Sequence, residues 1–559
     1  SPDEVLEREI MNHLFPDNTY GVESGGNPEN IPELSYEEFL DFHRTYYHPS
    51  NSYIYLYGNM DMEEKLRFID EKYLSAFEAL DVDSSIQEQA AFSGVKELEK
   101  EYPVAENEEE EENTYLSYNM VVGNALDSTL GVAFDVLDYA LLSAPGAPLK
   151  QALLDAGIGK DIYGDYSDGV LQPYFSIIAK GARTSQKEGF VSIIRNCLQD
   201  IVKNGVDRKA ILAGINYMEF RYREADFGQF PKGLMYGLDI MGSWLYDDAN
   251  AFSQVKLLEI YDKLKAAVNE GYFEDLIQKW LLDNTHGLVL TLVPKRGLAA
   301  RREKELADDL EAYRGSLSDE QLEELVRKTK ALEAYQESEE KPENLACIPM
   351  LKRSDIRREV NGFSNEELQT EGSLFLYQDV CTNGIGYVNI MFEIRDMAVE
   401  KVHYLGLLKS VLGYVDTKNY TYGQLFNEIN ARTGGIQCGV DVFDKADDPE
   451  AFRTMFTIRG KALYSQMEFL FQMMEEILNT SRITDTKRLG EIIAEIKSRG
   501  QASLISAGHQ TAVLRGASYS SPMARYQDEM AGVGYYKFIE DLEKNFQEKK
   551  DEIVAGLQN

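Results

Sequence analysis

Apolar residues at Val5, Leu6, Ile10 and Leu14 recur at helical spacing behind two acidic residues, which predicts a helix over residues 3–14. A loop rich in Gly and Asn follows, from Gly21 to Asn30. Ser35 and Glu38 form a capping-box pair, so a second helix is expected from there to about Tyr47, stopped by Pro49. Ser52 to Tyr57 is dense in β-forming side chains and reads as a strand. A charged amphipathic run from about Met62 to Phe77 predicts a third helix. One strand and three helices do not easily close a core. Residues 1–100 are therefore expected to be the C-terminal part of a domain whose start lies elsewhere, and the opening Ser1-Pro2-Asp3-Glu4, which reads as a helix start, fits a chain that begins inside a larger protein.

Two longer stretches then repeat one order of elements. The first has a strand at Tyr115–Val122, a helix near 128–142, and a helix over Leu149–Ala156 ending in Gly157-Ile158-Gly159. A strand at Phe175–Lys180 follows, and Ser185-Gln186 opens a long helix. The second has a strand at Gly386–Ile394, a helix near 399–413, and a helix over Tyr422–Ala431 ending in Gly434-Gly435. A strand at Met455–Arg459 follows, and Ser465-Gln466 opens a long helix. The Ser-Gln pairs stand 280 residues apart (466 − 186). Internal duplication explains both order and spacing, and it requires one strand order in residues 114–298 and 372–559.

Between the repeats, Ala299 to Arg314 forms a charged helical pattern ended by Gly315. Ser318 with Gln321 then opens a second helix, with Leu322, Leu325, Val326 and Leu332 on one stripe. The pair is expected to be a helical hairpin. The run Glu108 to Glu112 reads as a solvated linker, since adjacent like charges repel. The expected fold is α+β: duplicated two-layer domains, each an antiparallel-rich sheet with helices on one face, joined by the hairpin. The expected boundaries are 1–100, 101–298 for one α/β domain, 299–345 for the hairpin and 346–559 for the other.

Charge changes the picture of partners. The 57 basic and 95 acidic residues of this 559-residue chain give a formal charge of −38. Such a surface repels phosphate backbones and anionic lipid, so neither nucleic acid nor membrane is expected as a partner. No apolar run stands out as long enough to cross a bilayer. Four scattered cysteines (Cys197, Cys347, Cys381, Cys438) make no C-x-x-C pair, which suits a reducing cytoplasm better than a disulfide framework.

Candidate chemistry is sparse. The six histidines, His13, His43, His48, His286, His403 and His509, form neither H-E-x-x-H nor H-x-x-E-H, the patterns that put two imidazoles on one helix face. There is no G-x-S-x-G elbow, no P-loop lysine and no full dinucleotide fingerprint. No catalytic, cofactor-binding or metal-binding residue is expected in this chain.

Several motifs do carry a resemblance. They are Ser1-Pro2-Asp3-Glu4-Val5-Leu6, Leu14-Phe15-Pro16 with Asn18-Thr19-Tyr20, and Gly25-Gly26-Asn27-Pro28. Further on stand Phe42-His43-Arg44, Tyr46-Tyr47-His48-Pro49-Ser50-Asn51-Ser52 and Gly58-Asn59-Met60-Asp61. Together with the repeats and the bridging helices, they make the chain resemble the pitrilysin- and insulinase-type zinc peptidases, in the subfamily of the presequence proteases. That resemblance implies four related α/β domains in two halves that close around a peptide. It also implies zinc held by H-x-x-E-H and a downstream glutamate, with the motif's own glutamate as general base. Those ligands would lie before Ser1. The family's Arg and Tyr that assist the transition state would follow Asn559, and at the analogous turns here stand Leu154 or Ala431 and Lys160 or Gln437.

The resemblance thus implies a fragment of a zinc-dependent endopeptidase that degrades unstructured peptides in a closed chamber, itself without zinc and inactive alone. Its partners would be peptide substrates and the remaining N- and C-terminal domains of the same protein. The alternative is a non-catalytic scaffold or peptide-binding subunit of the same fold.

Overall fold

The computed structural model of the protein describes every residue except 1, 145, 360, 361, 363, 364, 371, 383, 396 and 559. Ser1, the first residue of the family-like motif, therefore lies outside the described residues. The chain packs as two compact units. One comprises residues 1–100, 111–293 and 383–559; the other comprises 101–110 and 294–382.

The larger unit opens with α1 (Pro2–Leu14), α2 (Tyr36–Tyr46) and α3 (Met62–Lys72). Leu6, Ile10 and Leu14 form the buried stripe of α1. The Ser35–Glu38 box closes in both directions, with Glu38 N donating to Ser35 Oγ at 3.2 Å and Ser35 N to Glu38 Oε2 at 2.9 Å. The expected strand at Ser52–Tyr57 does not form: these residues carry no ladder pairing. A strand needs a neighbour for its N–H and C=O groups, and the aromatic side chains settle on a helix instead. Tyr53 lies 4.5 Å from Trp244, and Tyr57 and Tyr55 press on Gly233 and Gly237, where a Cβ would meet ring carbons at 2.3 and 2.9 Å.

The first repeat contains β1 (Lys96–Val104), β2 (Thr114–Val121), α4 (Ser128–Asp138), α5 (Pro148–Asp155), β3 (Asp161–Ser167), β4 (Tyr174–Ala182) and α6 (Lys187–Asn204). After them come α7 (Arg208–Glu224), α8 (Lys232–Trp244), α9 (Leu258–Ala267), α10 (Tyr272–Leu276) and β5 (Gly287–Arg296). The sheet order is β1-β5-β2-β4-β3, and Leu116 of β2 stands between Ala179 of β4 and Thr291 of β5, antiparallel to both. One face turns Leu116, Tyr118, Met120, Phe175 and Ile177 into a core shared with Phe134, Leu149, Phe190 and Ile194 from the helices. The other face holds a buried polar cluster among Leu288, Leu290 and Leu292. Asn119 Nδ2 donates to Ser117 Oγ (2.9 Å) and to the Leu288 carbonyl (3.0 Å), and its Oδ1 accepts from Ser176 Oγ (2.7 Å). On this side α1 is tied down by Lys180 Nζ to Asp3 (2.6 Å), while His286 Nε2 sits 2.9 Å from the Leu14 carbonyl.

One stretch overturns a sequence expectation. Among the described residues, Ser128–Asp155 has the length and mean hydropathy (1.2) of a bilayer span. Its residues are apolar because they fill this core, and 71% of the window is buried inside the fold.

The smaller unit carries α11 (Leu298–Ser316), α12 (Asp319–Gln336), α13 (Pro342–Leu345) and the antiparallel pair β6 (Glu366–Thr370) and β7 (Ser373–Tyr377). The two long helices are separated only by Leu317 and Ser318. Gly315 does not end the first, which runs on to Ser316. The expected box at the second helix is complete, Gln321 N donating to Ser318 Oγ at 3.2 Å and Ser318 N to Gln321 Oε1 at 2.9 Å. The acidic run is anchored rather than free. In this unit Arg296 N donates to Glu110 Oε1 (2.7 Å) and Arg296 Nε to the Glu108 carbonyl (2.6 Å), while in the larger unit Glu112 pairs with Lys160 (2.8 Å) and Arg183 (2.5 Å).

The second repeat begins with β8 (Ile385–Ile394), α14 (Val402–Val411), α15 (Tyr422–Arg432), β9 (Ile436–Lys445), β10 (Asp448–Leu463) and α16 (Met467–Thr480). It continues through α17 (Thr486–Ser506), α18 (Gly508–Ala517), α19 (Pro522–Ala531), α20 (Val533–Lys544) and α21 (Phe546–Gln558). Its sheet order, β8-β10-β9, reproduces β2-β4-β3. The turns agree in detail. Lys160 N donates to the Lys180 carbonyl and Gly434 N to the Lys461 carbonyl, both at 2.7 Å. Gln186 Nε2 grips the Gly157 carbonyl (2.9 Å), and Gln466 Oε1 accepts from Arg432 Nε (3.0 Å). The duplication inferred from the Ser-Gln pairs is a duplication of structure. The strand expected only at Met455–Arg459 is longer because β9 and β8 between them pair with most of it.

Asn119→Ala should cost about 1–3 kcal/mol, because it leaves the Ser176 hydroxyl and the Leu288 carbonyl buried without their partner. Urea unfolding of the two proteins measures this, with Ser35→Ala, at an exposed cap, losing about 1 kcal/mol or less.

Candidate functional site

Five of the six histidines make local contacts in the fold, His286 at the Leu14 carbonyl among them. His13 Nδ1 lies 2.9 Å from the Glu9 carbonyl, His43 stacks on Tyr47, and His48 Nδ1 accepts from Ser50 N at 3.1 Å. His403 Nε2 stands 3.0 Å from Glu529 Oε2, and burial lowers its imidazole pKa in spite of that carboxylate. His509 is exposed on α18. Among the described residues no three His, Cys, Asp or Glu side chains come together to hold a metal ion. Burial also pushes the Cys438 thiol up to about 12, which removes its thiolate at neutral pH.

The glycine turns place the positions singled out in the sequence. Leu154 is exposed near the end of α5, and Lys160, just past Gly159, is occupied by Glu112. Ala431 packs beside Tyr139 and Ala213, and Gln437 lies on β9. Neither turn holds an Arg–Tyr pair.

What the fold does assemble is a charged cleft between the repeats. Tyr139 stacks on Tyr217 and Phe426, and its hydroxyl accepts from Asn430 Nδ2 at 2.7 Å. Gly434 is so close to Phe220 that a Cβ there would lie 2.2 Å from the ring. Beside this contact is a cavity of about 170 Å³, lined in part by Arg221, Glu224, Asp226 and Lys461. The Glu224 carboxylate, buried from α7, receives Lys461 Nζ at 2.6 Å and the Tyr387 hydroxyl at 2.7 Å. Both carboxylate oxygens are thus satisfied by donors of the second repeat. Lys461 corresponds to Lys180, which grips Asp3 in the same way, so the equivalent strand of each repeat carries a lysine that clasps the preceding segment.

Elsewhere in the first repeat, the partly buried Asp135 and Asp138 of α4 lie within electrostatic range of Asp165 and Asp168, which reach the surface. Burial pushes up all four carboxyls, Asp135 to about 7 with further contributions from Asp168 and Asp138 and opposition from Arg221. Asp138 Oδ1 is buried without a partner. The sequence could not mark these residues, because 95 acidic side chains hide any particular few. Lys461 was legible in principle, by comparing the repeats. Aligning the Ser-Gln pairs sets Lys180 one position out of step with it, and the irregular register near Ala182, with Gly181 at φ +68°, absorbs that residue.

Comparison with known proteins now bears on this architecture. The family described as the associated region of peptidase family M16, subfamily C, matches residues 292–542, and that described as the peptidase M16 inactive domain matches residues 33–218. Protein HypA of Clostridium perfringens is 39% identical over the whole chain, which covers 57% of that protein. Presequence protease 1 of Arabidopsis thaliana is 32% identical over the whole chain, which covers 52% of it. Pitrilysin aligns at 13% identity, over 97% of this chain and 56% of its own, with a TM-score of 0.44, a likeness too loose to bear on chemistry. The two M16 family matches, together with relatives that align along the whole chain, support its place among the insulinase-type peptidases of family M16. Within that family it is presequence-protease-like, and it spans about half the length of the curated relatives it matches.

Two outcomes follow from the cleft and the buried acids. Glu224→Gln and Lys461→Met should each destabilise the chain, with a coupling of about 1–2 kcal/mol in a double-mutant cycle of urea midpoints. A raised Asp135 pKa means that the folded state binds a proton which the unfolded state has lost between about pH 4 and pH 7. Its contribution to stability therefore falls as pH rises across that window. Asp135→Asn should remove the fall, gaining on the wild type by an amount on the order of a few kcal/mol from pH 4 to pH 7.5, read as the difference in melting temperature along a pH series.

Proposed function

We propose that these 559 residues form wall and hinge of a zinc-dependent endopeptidase that degrades unstructured peptides in a closed chamber, with the zinc ligands contributed from outside this chain. The observation that carries the reading is resemblance along nearly the entire chain to presequence proteases about twice its length, in a chain whose own described side chains gather no metal site. When bound in such an enzyme, zinc polarises the scissile carbonyl and activates water. The residues of this chain shape and hold. Glu224, Lys461 and Tyr387 lock one repeat against the next, and Asp3 with Lys180 locks α1 against the first sheet. Peptide substrates and the remaining domains of the same protein are the partners this implies. The four cysteines, none in a disulfide, suit a reducing compartment such as the cytoplasm.

The 559-residue chain, supplied with zinc and a quenched fluorescent peptide without structure, should show no turnover. The natural protein containing it should cleave the peptide and lose that activity to a chelator. Chelator-sensitive turnover by the 559 residues alone would overturn the division of labour. A full-length protein that binds the peptide without ever cleaving it would make this fold a scaffold or peptide-binding subunit.

A further inference from the structure

We propose that the cavity between α7 and β10 binds a small zwitterion, a free α-amino acid or a dipeptide, with Arg221 taking its carboxylate and Asp226 its ammonium. The cavity measures about 170 Å³ and lies where the two repeats meet. Tyr217 and Phe220 wall it from the first repeat, Gly434 and Lys461 from the second. That is well short of drug-sized pockets, which start at about 300 Å³, so it fits an occupant of no more than roughly ten non-hydrogen atoms.

The charges at the cavity say what kind of occupant. Glu224 is saturated by Lys461 and the Tyr387 hydroxyl. Arg221 and Asp226 are not. Among the described residues Arg221 has no carboxylate in ion-pair range; its guanidinium lies 5.7 Å from the Tyr217 ring and acts on Asp135 through space. Asp226 accepts one hydrogen bond, from Gly228 N at 3.0 Å, and meets no cation. The two line one cavity without joining each other. A guanidinium presents a fork of N–H donors that fits a carboxylate through two parallel bonds. A neutral ligand would leave both charges unmatched, and a simple anion would leave Asp226 facing a second negative group. A molecule bearing both charges answers both.

The backbone supplies an independent observation. Ala225, between Glu224 and Asp226, is the only non-glycine among the described residues with φ in the left-handed region, at +47°. It ends α7, its N–H donating to the Arg221 carbonyl at 2.9 Å. Helices that end this way usually carry glycine there, because a Cβ crowds the following carbonyl. Such a conformation persists where its surroundings hold it, and residues of this kind gather at ligand sites. Here the turn brings Asp226 to the same cavity as Tyr217, Arg221 and Glu224, which share one face of α7. Small zwitterions are what peptide hydrolysis releases. That link to product rests on the function proposed above, whereas binding belongs to these residues alone.

Ligand-observed NMR on the 559-residue chain, with alanine and alanyl-alanine as probes, tests the proposal. At least one of them should bind saturably at one site per chain, with a Kd on the order of 1 mM. The N-acetyl and C-amide forms of that probe, each lacking one charge, should bind at least about 10-fold more weakly. Arg221→Met and Asp226→Asn, both at exposed side chains, should each weaken binding about 10-fold or more and leave the urea midpoint of the free chain unchanged. No saturable binding would leave the cavity to water and overturn the proposal. Equal binding of the N-acetyl form would make this a site for anions only, and binding untouched by either substitution would place the ligand elsewhere; each result overturns it too. None of these outcomes bears on zinc-dependent turnover by the natural protein, which tests the proposed function separately.

Discussion

A β-strand cannot satisfy its own backbone, and this constraint orders the structure. Each N–H and C=O on a strand needs a neighbour, or water, to bond with. Where the neighbours are present, as for β2 between β4 and β5, the strand is buried on nearly every residue and both sheet faces can be covered. Where they are not, the same kind of sequence behaves differently. Ser52 to Tyr57 has the side chains of a strand, yet without a ladder its tyrosines pack on α8 and its backbone joins no sheet. At β8 the ladder is complete on one side only.

A second layer of control comes from lysines at one position of the repeat. Lys180 reaches Asp3 and Lys461 reaches Glu224, so each copy of the sheet is fastened to the segment before it by a bond at 2.6 Å. The buried Glu224 has its second oxygen occupied by Tyr387, and breaking one partner would strand a charge in a low-dielectric cleft. The cleft beside it joins repeats through Tyr139 and Asn430 and through the closeness of Gly434 to Phe220. These contacts give a duplicated chain one preferred arrangement of its copies.

Local signals were the most legible. The Ser35–Glu38 and Ser318–Gln321 boxes form as their spacing demands, since a cap is settled within four residues. The Ser-Gln pairs marked the duplication, and Gln186 and Gln466 both reach the preceding turn. Gly315 marked the end of its helix to within one residue. The Ser128–Asp155 stretch shows that buried core segments, here α4 and α5, can match the length and hydropathy of a bilayer span.

By itself the sequence determined the helices marked by a capping pair or a clear apolar stripe, the repeated order of elements, the sheet class and the family resemblance, because all of these follow from spacing along the chain. Only the tertiary structure decided which strands find neighbours, which of 95 acids are buried, and that Asp135 is held near neutrality while Glu224 becomes a clasp. That clasp depends on groups 237 residues apart meeting at a partly buried contact between the repeats. Burial and partnership belong to the fold, and no single residue carries them.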